Sequence, residues 1–293
     1  MTSALKRRYE LTQSQKLMVF ILAMSLYGIS NMFSELIPEL KLGPIEIKVE
    51  YFAFIPLTLC ILFNPLYAAL GASFGEIIFG ELLLGQFGGL GELEKFIEFS
   101  LAMYVAGLLV SDPRNRKQLA LASFVAVGID QMLGTIVDVG KVWFGIEEFE
   151  AVPGLPESIL LIEGLSFLNA MVITGIFFSL LPTLFLVPRL YGKIEPLLGM
   201  KPRDSRVPLS LGQLMTPRLL ITGICFFFLA VVAEFLAESD INFAVWEPEF
   251  IEQYGSGYMW VSIGAAALVL IVTVAFAMRS KAKTIQKPGD MKL

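Results

Sequence analysis

The chain has 293 residues, of which 56% are apolar and only 17% charged, with 24 Phe, no His and a formal charge of −5. A soluble domain is nearer half apolar and a quarter charged, so a water-soluble globule, a disordered chain and a disulfide-stapled secreted domain are excluded. The absence of His removes His-dependent triads, the common zinc sites and axial haem ligation, and the acidic balance gives no expectation of nucleic acid as a partner.

Crossing ~30 Å of hydrocarbon takes about 20 helical residues. In chain order, the apolar stretches that meet or approach this length cover residues 17–33, 51–63, 66–84, 96–110, 119–139, 159–187, 219–236 and 258–278. The second and third are one long run divided at Asn64-Pro65, because a proline forces the chain out of a preceding helix. The first is not a cleaved signal peptide, since Ser34-Glu35-Leu36 follows it without a small-residue cleavage site. Cys60 and Cys225 lie inside apolar runs and read as buried free thiols.

The expectation is an all-α integral membrane protein with eight transmembrane helices, multi-pass in the cell membrane, its lipid bilayer the first partner. Positively charged residues favour the cytoplasmic side. With the N-terminus inside, all of the 22 Lys and Arg fall on cytoplasmic segments except Lys41, Lys48, Lys95 and Lys141, at the outer side or its edge. The intervening outer loops are acid-rich: Glu35, Glu39, Glu46, Glu50, Glu92, Glu94, Glu147, Glu148, Glu150, Glu157, Glu238, Asp240, Glu247, Glu249 and Glu252. They read as a solvated surface or as a funnel for cations. The division expected is a six-helix unit over residues 1–187, a cytoplasmic loop over 188–218, two further transmembrane helices over 219–278 and a basic cytoplasmic tail over 279–293.

The second to fourth segments carry the most particular sequence. Pro56 and Asn64-Pro65 lead into a helix with Ala68, Ala69, Gly71, Ala72 and Gly75-Glu76, then Gly80-Glu81. Ala102, Ala106 and Gly107 follow in the next helix. Ala68, Gly71, Ala72 and Gly75 form a stripe at spacings of three and four, and Gly71 and Gly75 a small-xxx-small pair, which lets helix backbones approach closely. Over residues 17–187 this pattern resembles the S components, the substrate-binding subunits of energy-coupling factor vitamin transporters. The resemblance implies six helices, a cytoplasmic N-terminus, a small-molecule solute bound from outside, and a transmembrane coupling subunit with ATPases as partners. Two departures stand beside it. Two helices follow the sixth, and the first helix offers only Ala23 and Gly28, which lack small-xxx-small spacing.

Seven acids lie within the apolar segments: Glu76, Glu81, Glu98, Asp130, Asp138, Glu163 and Glu234. No Lys or Arg lies there with them. A carboxylate at mid-bilayer costs at least ~2.5 kcal/mol, so such residues usually face the protein interior and mark sites or pathways. Glu98, Asp138 and Glu234 sit near enough to the interface to meet water. Glu76, Glu81, Asp130 and Glu163, with Asn169 behind them, are the candidate substrate-binding residues. They are either protonated and hydrogen-bonded to Asn169, Gln131, Ser166 or Ser73, or paired with a ligand cation. Oxygen donors without His would favour a hard metal or an organic amine. Phe96, Phe99, Tyr104, Trp143 and Phe144 are either interfacial anchors or a surface for a flat or cationic ligand.

The function expected is a membrane uptake subunit that binds a small, cationic or amine-bearing solute from the outer side. No catalytic residues and no cofactor are expected, and no phosphate-binding Gly-x-x-x-x-Gly-Lys-Ser/Thr loop occurs. The alternative is a non-transporting membrane scaffold or assembly subunit, with the 188–218 loop and the last two helices as its docking surface. An intramembrane enzyme using paired acids is a third reading, with no nucleophile motif beside it.

Overall fold

The computed structural model describes residues 11–42, 45–85, 87–146, 155–202, 216–238 and 250–285. The basic residues 6–8, residues 203–215 of the 188–218 loop, the acids Glu147, Glu148, Glu150, Asp240, Glu247 and Glu249, Trp246 and the end of the tail lie outside the described residues.

Among the described residues eight principal helices are present: α1 Gln13–Glu35, α2 Phe54–Leu62, α3 Pro65–Gly75, α4 Glu92–Leu109, α5 Arg116–Trp143, α6 Ile159–Leu190, α7 Pro217–Glu238 and α8 Met259–Ile285. Five of them, α1, α5, α6, α7 and α8, are long and apolar enough to cross a membrane. The other three differ for identifiable reasons. At 1.5 Å per residue, the nine residues of α2 reach only about 13 Å. The straight α part of α3 is 11 residues long, and α4 carries Glu92, Glu94, Lys95 and Glu98 in its first two turns.

Local signals set most boundaries. Thr12 and Gln15 form a reciprocal capping box at the start of α1. Asn64 caps α3, its Oδ1 accepting from the backbone N–H of Leu66 and Tyr67, and Pro65 fills the first helical position, where no N–H is needed. Asn115 caps α5 in the same way.

The helices alternate in direction, and the core joins α1 to α6. Its buried residues include Val19, Tyr27, Leu57, Ala68, Met103, Leu119 and Val187. The small-residue stripe of α3 is the tightest contact. A Cβ on Gly71 would run into the backbone of Phe20, and one on Gly75 into that of Met24. So α1 lies directly on α3 over one full turn. On the far side α7 packs against α4, and α8 packs against α1. Large apolar side chains on the outward faces, such as Phe185, Phe228 and Phe276, are exposed, as lipid contact requires.

Three features were not expected. Leu40–Leu42 and Ile45–Ile47 pair as an antiparallel hairpin, with Lys41 opposite Glu46. Alternating Leu-Lys-Leu and Ile-Glu-Ile around Gly43-Pro44 was its sequence signal. Residues 48–53 run non-helically into the bundle before α2 begins, so α2 starts three residues later than its apolar run. Finally, two stretches are wound as π-helix: Glu76–Leu82, which continues α3, and Met171–Leu180, in the middle of α6.

Candidate functional site

A cavity of about 670 Å³ opens at one end of the bundle. It lies where α1, α3 and α5 end and where α4 and α6 begin. Four of the five candidate residues line it: Glu76 and Glu81 from α3 and its continuation, Asp130 from α5 and Glu163 from α6. Asn31 and Ser34 come from α1, and Glu98 and Phe99 from α4.

The π winding explains how α3 supplies two acids. Five residues apart on an ideal α-helix point about 140° away from each other. With i→i+5 bonding, positions five apart return toward one side. The bond from the Leu83 N–H to the Ile78 carbonyl, 3.0 Å, is of this type. Gly80, between the acids, leaves room for Asn31, whose Nδ2 would stand 3.1 Å from an added Cβ.

The non-helical stretch before α2 forms part of the wall. Lys48, Val49, Glu50 and Tyr51 all line the cavity. Irregular backbone at membrane depth is tolerated where it lines a cavity and its polar groups are met. Here the Glu50 N–H donates to Thr174 Oγ1 at 3.1 Å, and Asn169 Nδ2 donates to the Lys48 carbonyl at 3.2 Å. Both partners come from α6. Asn169 is not among the residues that line the cavity; it fastens the non-helical stretch that does.

Asp130 is the best-defined acid. Tyr51 Oη donates to its Oδ2 at 2.6 Å, a short distance in keeping with a charge-assisted bond. Thr135 Oγ1 donates to Glu163 Oε2 at 3.4 Å. Glu98, which was expected to meet interfacial water, is buried at 6% exposure and lies across Gly134 of α5. Its Oε1 accepts no hydrogen bond.

The expectation that these acids lack basic partners is corrected in two places. Lys95 Nζ stands 3.6 Å from Glu81 and 3.2 Å from Glu92. Burial alone would lower the Lys95 pKa, but the Glu81 and Glu92 carboxylates outweigh it and hold the ammonium above its usual value. Lys141, read as lying at the outer edge, is buried and bridges Asp138 at 3.0 Å and Glu234 at 3.2 Å, tying α5 to α7. Glu234, Glu92 and Glu94 are likewise buried, where surface positions were expected. The signal was present in part: Lys95 lies three residues from Glu92 and Glu98, and Lys141 three residues from Asp138.

The aromatic residues are engaged with one another. Phe99 stacks on Tyr27 at 4.7 Å and meets the edge of Tyr51 at 5.2 Å, while Phe96 packs against Phe74. Of these, Tyr51 and Phe99 line the cavity. Trp143 and Phe144 are exposed, as interfacial anchors are. Among the described residues no group of acids is arranged to hold a metal ion.

What the arrangement can do chemically is receive positive charge. Eight carboxylates line the cavity against three lysines, Lys41, Lys48 and Lys95, and Lys141 covers Asp138 from outside it. No curated protein and no solved structure matches the chain. The model of a family of unknown function, DUF8171, matches residues 18–286, so the chain belongs to that family.

Proposed function

We propose that this protein is an eight-span membrane protein with both termini cytoplasmic, and that it captures a small organic cation from the outer side as the solute-binding subunit of an uptake system. The observation that carries the reading is the convergence of Glu76, Glu81, Asp130 and Glu163 on one cavity in which acids outnumber lysines. Acid-lined concave sites concentrate cations and raise their rate of arrival.

Orientation has its own support. The cavity lies at the ends of α1 and α5 and the starts of α4 and α6. Lys16, Arg114, Arg116, Lys117, Arg189 and Lys193 occupy the opposite ends of those helices. Arg114 there stacks over Tyr191 at 5.2 Å, and Gln15 donates to the Gly199 carbonyl at 2.7 Å. The positive-inside rule then turns the cavity outward. Beside the five long helices, α2, α3 with its π continuation and α4 make the remaining three crossings, the acid-bearing end of α3's continuation and the start of α4 lying at the outer interface.

The S-component resemblance fits the small-residue stripe and the Asn64-Pro65 turn. It fits the energy source less well. In that family the first helix meets the coupling subunit, whereas here α8 covers α1. A partner ATPase would have to engage another face, or an ion gradient would drive uptake.

The test is native mass spectrometry of the gently extracted wild type and of Asp130→Asn. A co-purifying amine that is absent from the variant supports capture. A bare chain, or one bound only to another membrane protein and unaffected by Asp130→Asn, would move the assignment to a scaffold or assembly subunit.

A further inference from the structure

The carboxylates of the cavity are spread along its walls. Glu76 stands on α3, Glu98 on α4, Asp130 on α5 and Glu163 on α6. A hard divalent cation gathers six or more oxygens within about 2.6 Å. No such convergence exists among the described residues. The positive charge that fits is therefore distributed too.

Three further observations narrow it. Glu98 is buried and lines the cavity, and its Oε1, shielded from solvent, accepts no hydrogen bond; a buried acceptor without a donor is costly, and a ligand N–H that met it through a turn of the Glu98 side chain would supply the donor. The volume of about 670 Å³ is many times that of a single ammonium group. Among the described lining residues Tyr51 and Phe99 are the two aromatics, and Phe99 is already stacked on Tyr27 with Tyr51 at its edge; the rest of the lining is aliphatic or polar. An aliphatic ligand suits such walls better than an aromatic one.

Resting on the cation-capture reading above, we infer that the ligand is a linear aliphatic polyamine, with one ammonium seated on Glu98 and the others reaching Asp130 and Glu163. The alkyl segments between the ammonium groups span the gaps between helices. The number of charges, rather than the shape of a ring, sets the affinity.

The experiment is isothermal titration of the full chain in detergent with n-butylamine, 1,4-diaminobutane, spermidine and magnesium chloride. Affinity rises along the amine series by about tenfold for each added ammonium, since a hydrogen bond to a charged group is worth roughly that factor. Magnesium gives no heat. Glu98→Gln, which keeps the side-chain shape, weakens spermidine by about tenfold and n-butylamine by less, because the single charge can move to another acid. Glu163→Gln does the same, and decides the matter if Glu98→Gln is not monodisperse in size-exclusion chromatography. Butylamine binding as tightly as spermidine overturns the polyamine assignment while leaving cation capture intact. Spermidine binding indifferent to both variants overturns it as well. No heat from any amine overturns both readings together.

Discussion

Replacing Gly71 or Gly75 by Ala tests the contact on which the whole bundle is built. At Gly71 the new methyl would stand 2.9 Å from both the carbonyl carbon and the Cα of Phe20, and closer still to the carbonyl oxygen. Ordinary contact begins near 3.4 Å, so α1 must retreat by at least about 0.5 Å. Backbone atoms have no rotamer into which to escape. Overpacking of this kind costs ~1–3 kcal/mol. A gap of 0.5–1 Å also forfeits roughly a quarter to a half of the dispersion well for the atoms along it, and Ala68 and Ala72 share that seam. Each substitution is therefore expected to lose about 2 kcal/mol. Gly164→Ala is the control. That glycine lies in α6 with nothing within 4 Å of an added Cβ, and Ala in a helix interior gains up to about 1 kcal/mol over Gly. The assay is reversible unfolding in mixed micelles, titrated with a denaturing detergent and followed by tryptophan fluorescence. Gly71→Ala and Gly75→Ala shift the midpoint down, and Gly164→Ala leaves it unchanged or shifts it up. If all three behave alike, α1 does not lie on α3 through its backbone, and the placement of Asn31 and Ser34 at the cavity fails with it.

Two other outcomes follow from the same geometry. Lys141→Met strands the buried Glu234 without its cation, while the half-exposed Asp138 keeps water; breaking the buried pair costs roughly 3–5 kcal/mol, read in the same unfolding assay, and Glu234→Gln added to it restores part of the loss. In a background with Cys60→Ala and Cys225→Ser, Lys41→Cys should react with a membrane-impermeant maleimide from outside intact cells, and Arg114→Cys only after the membrane is opened. The reverse pattern would invert the orientation, and labelling of both from one side would remove the eight-span topology.

The sequence made some elements plain because their causes are local. Asn64-Pro65 ends one helix and starts the next through a side-chain cap and a missing N–H, both within four residues. The Gly71/Gly75 pair was legible as a packing face, though not as the partner of Phe20 and Met24 in particular. Glu76, Glu81, Asp130 and Glu163 were legible as candidates because a carboxylate in an apolar run needs a reason to be there. The place of Asn169 was not legible, since its amide reaches backward to the Lys48 carbonyl, 121 residues away in the chain. Glu98 was set aside for its closeness to the interface; only the packing of α4 against α5 across Gly134 buries it. Lys141 was set aside for the same reason, and its two carboxylate partners include one 93 residues further on.

By itself the sequence determined that the chain is helical with runs long and apolar enough to cross a membrane, where those runs lie, and which segments carry the positive charge. Length, hydropathy and charge act residue by residue, so they survive without knowledge of what touches what. Only the tertiary structure decided that the scattered acids share one cavity, that the non-helical stretch 48–53 dips in to wall it, and that two lysines answer some of the charge. Those outcomes depend on how each helix is rotated about its axis, on the π winding that brings Glu76 and Glu81 to one side, and on contacts between segments far apart in the chain. A one-dimensional pattern of apolar residues does not encode these rotations strongly enough to read, because in lipid both faces of a helix are apolar and the buried face is chosen by fit.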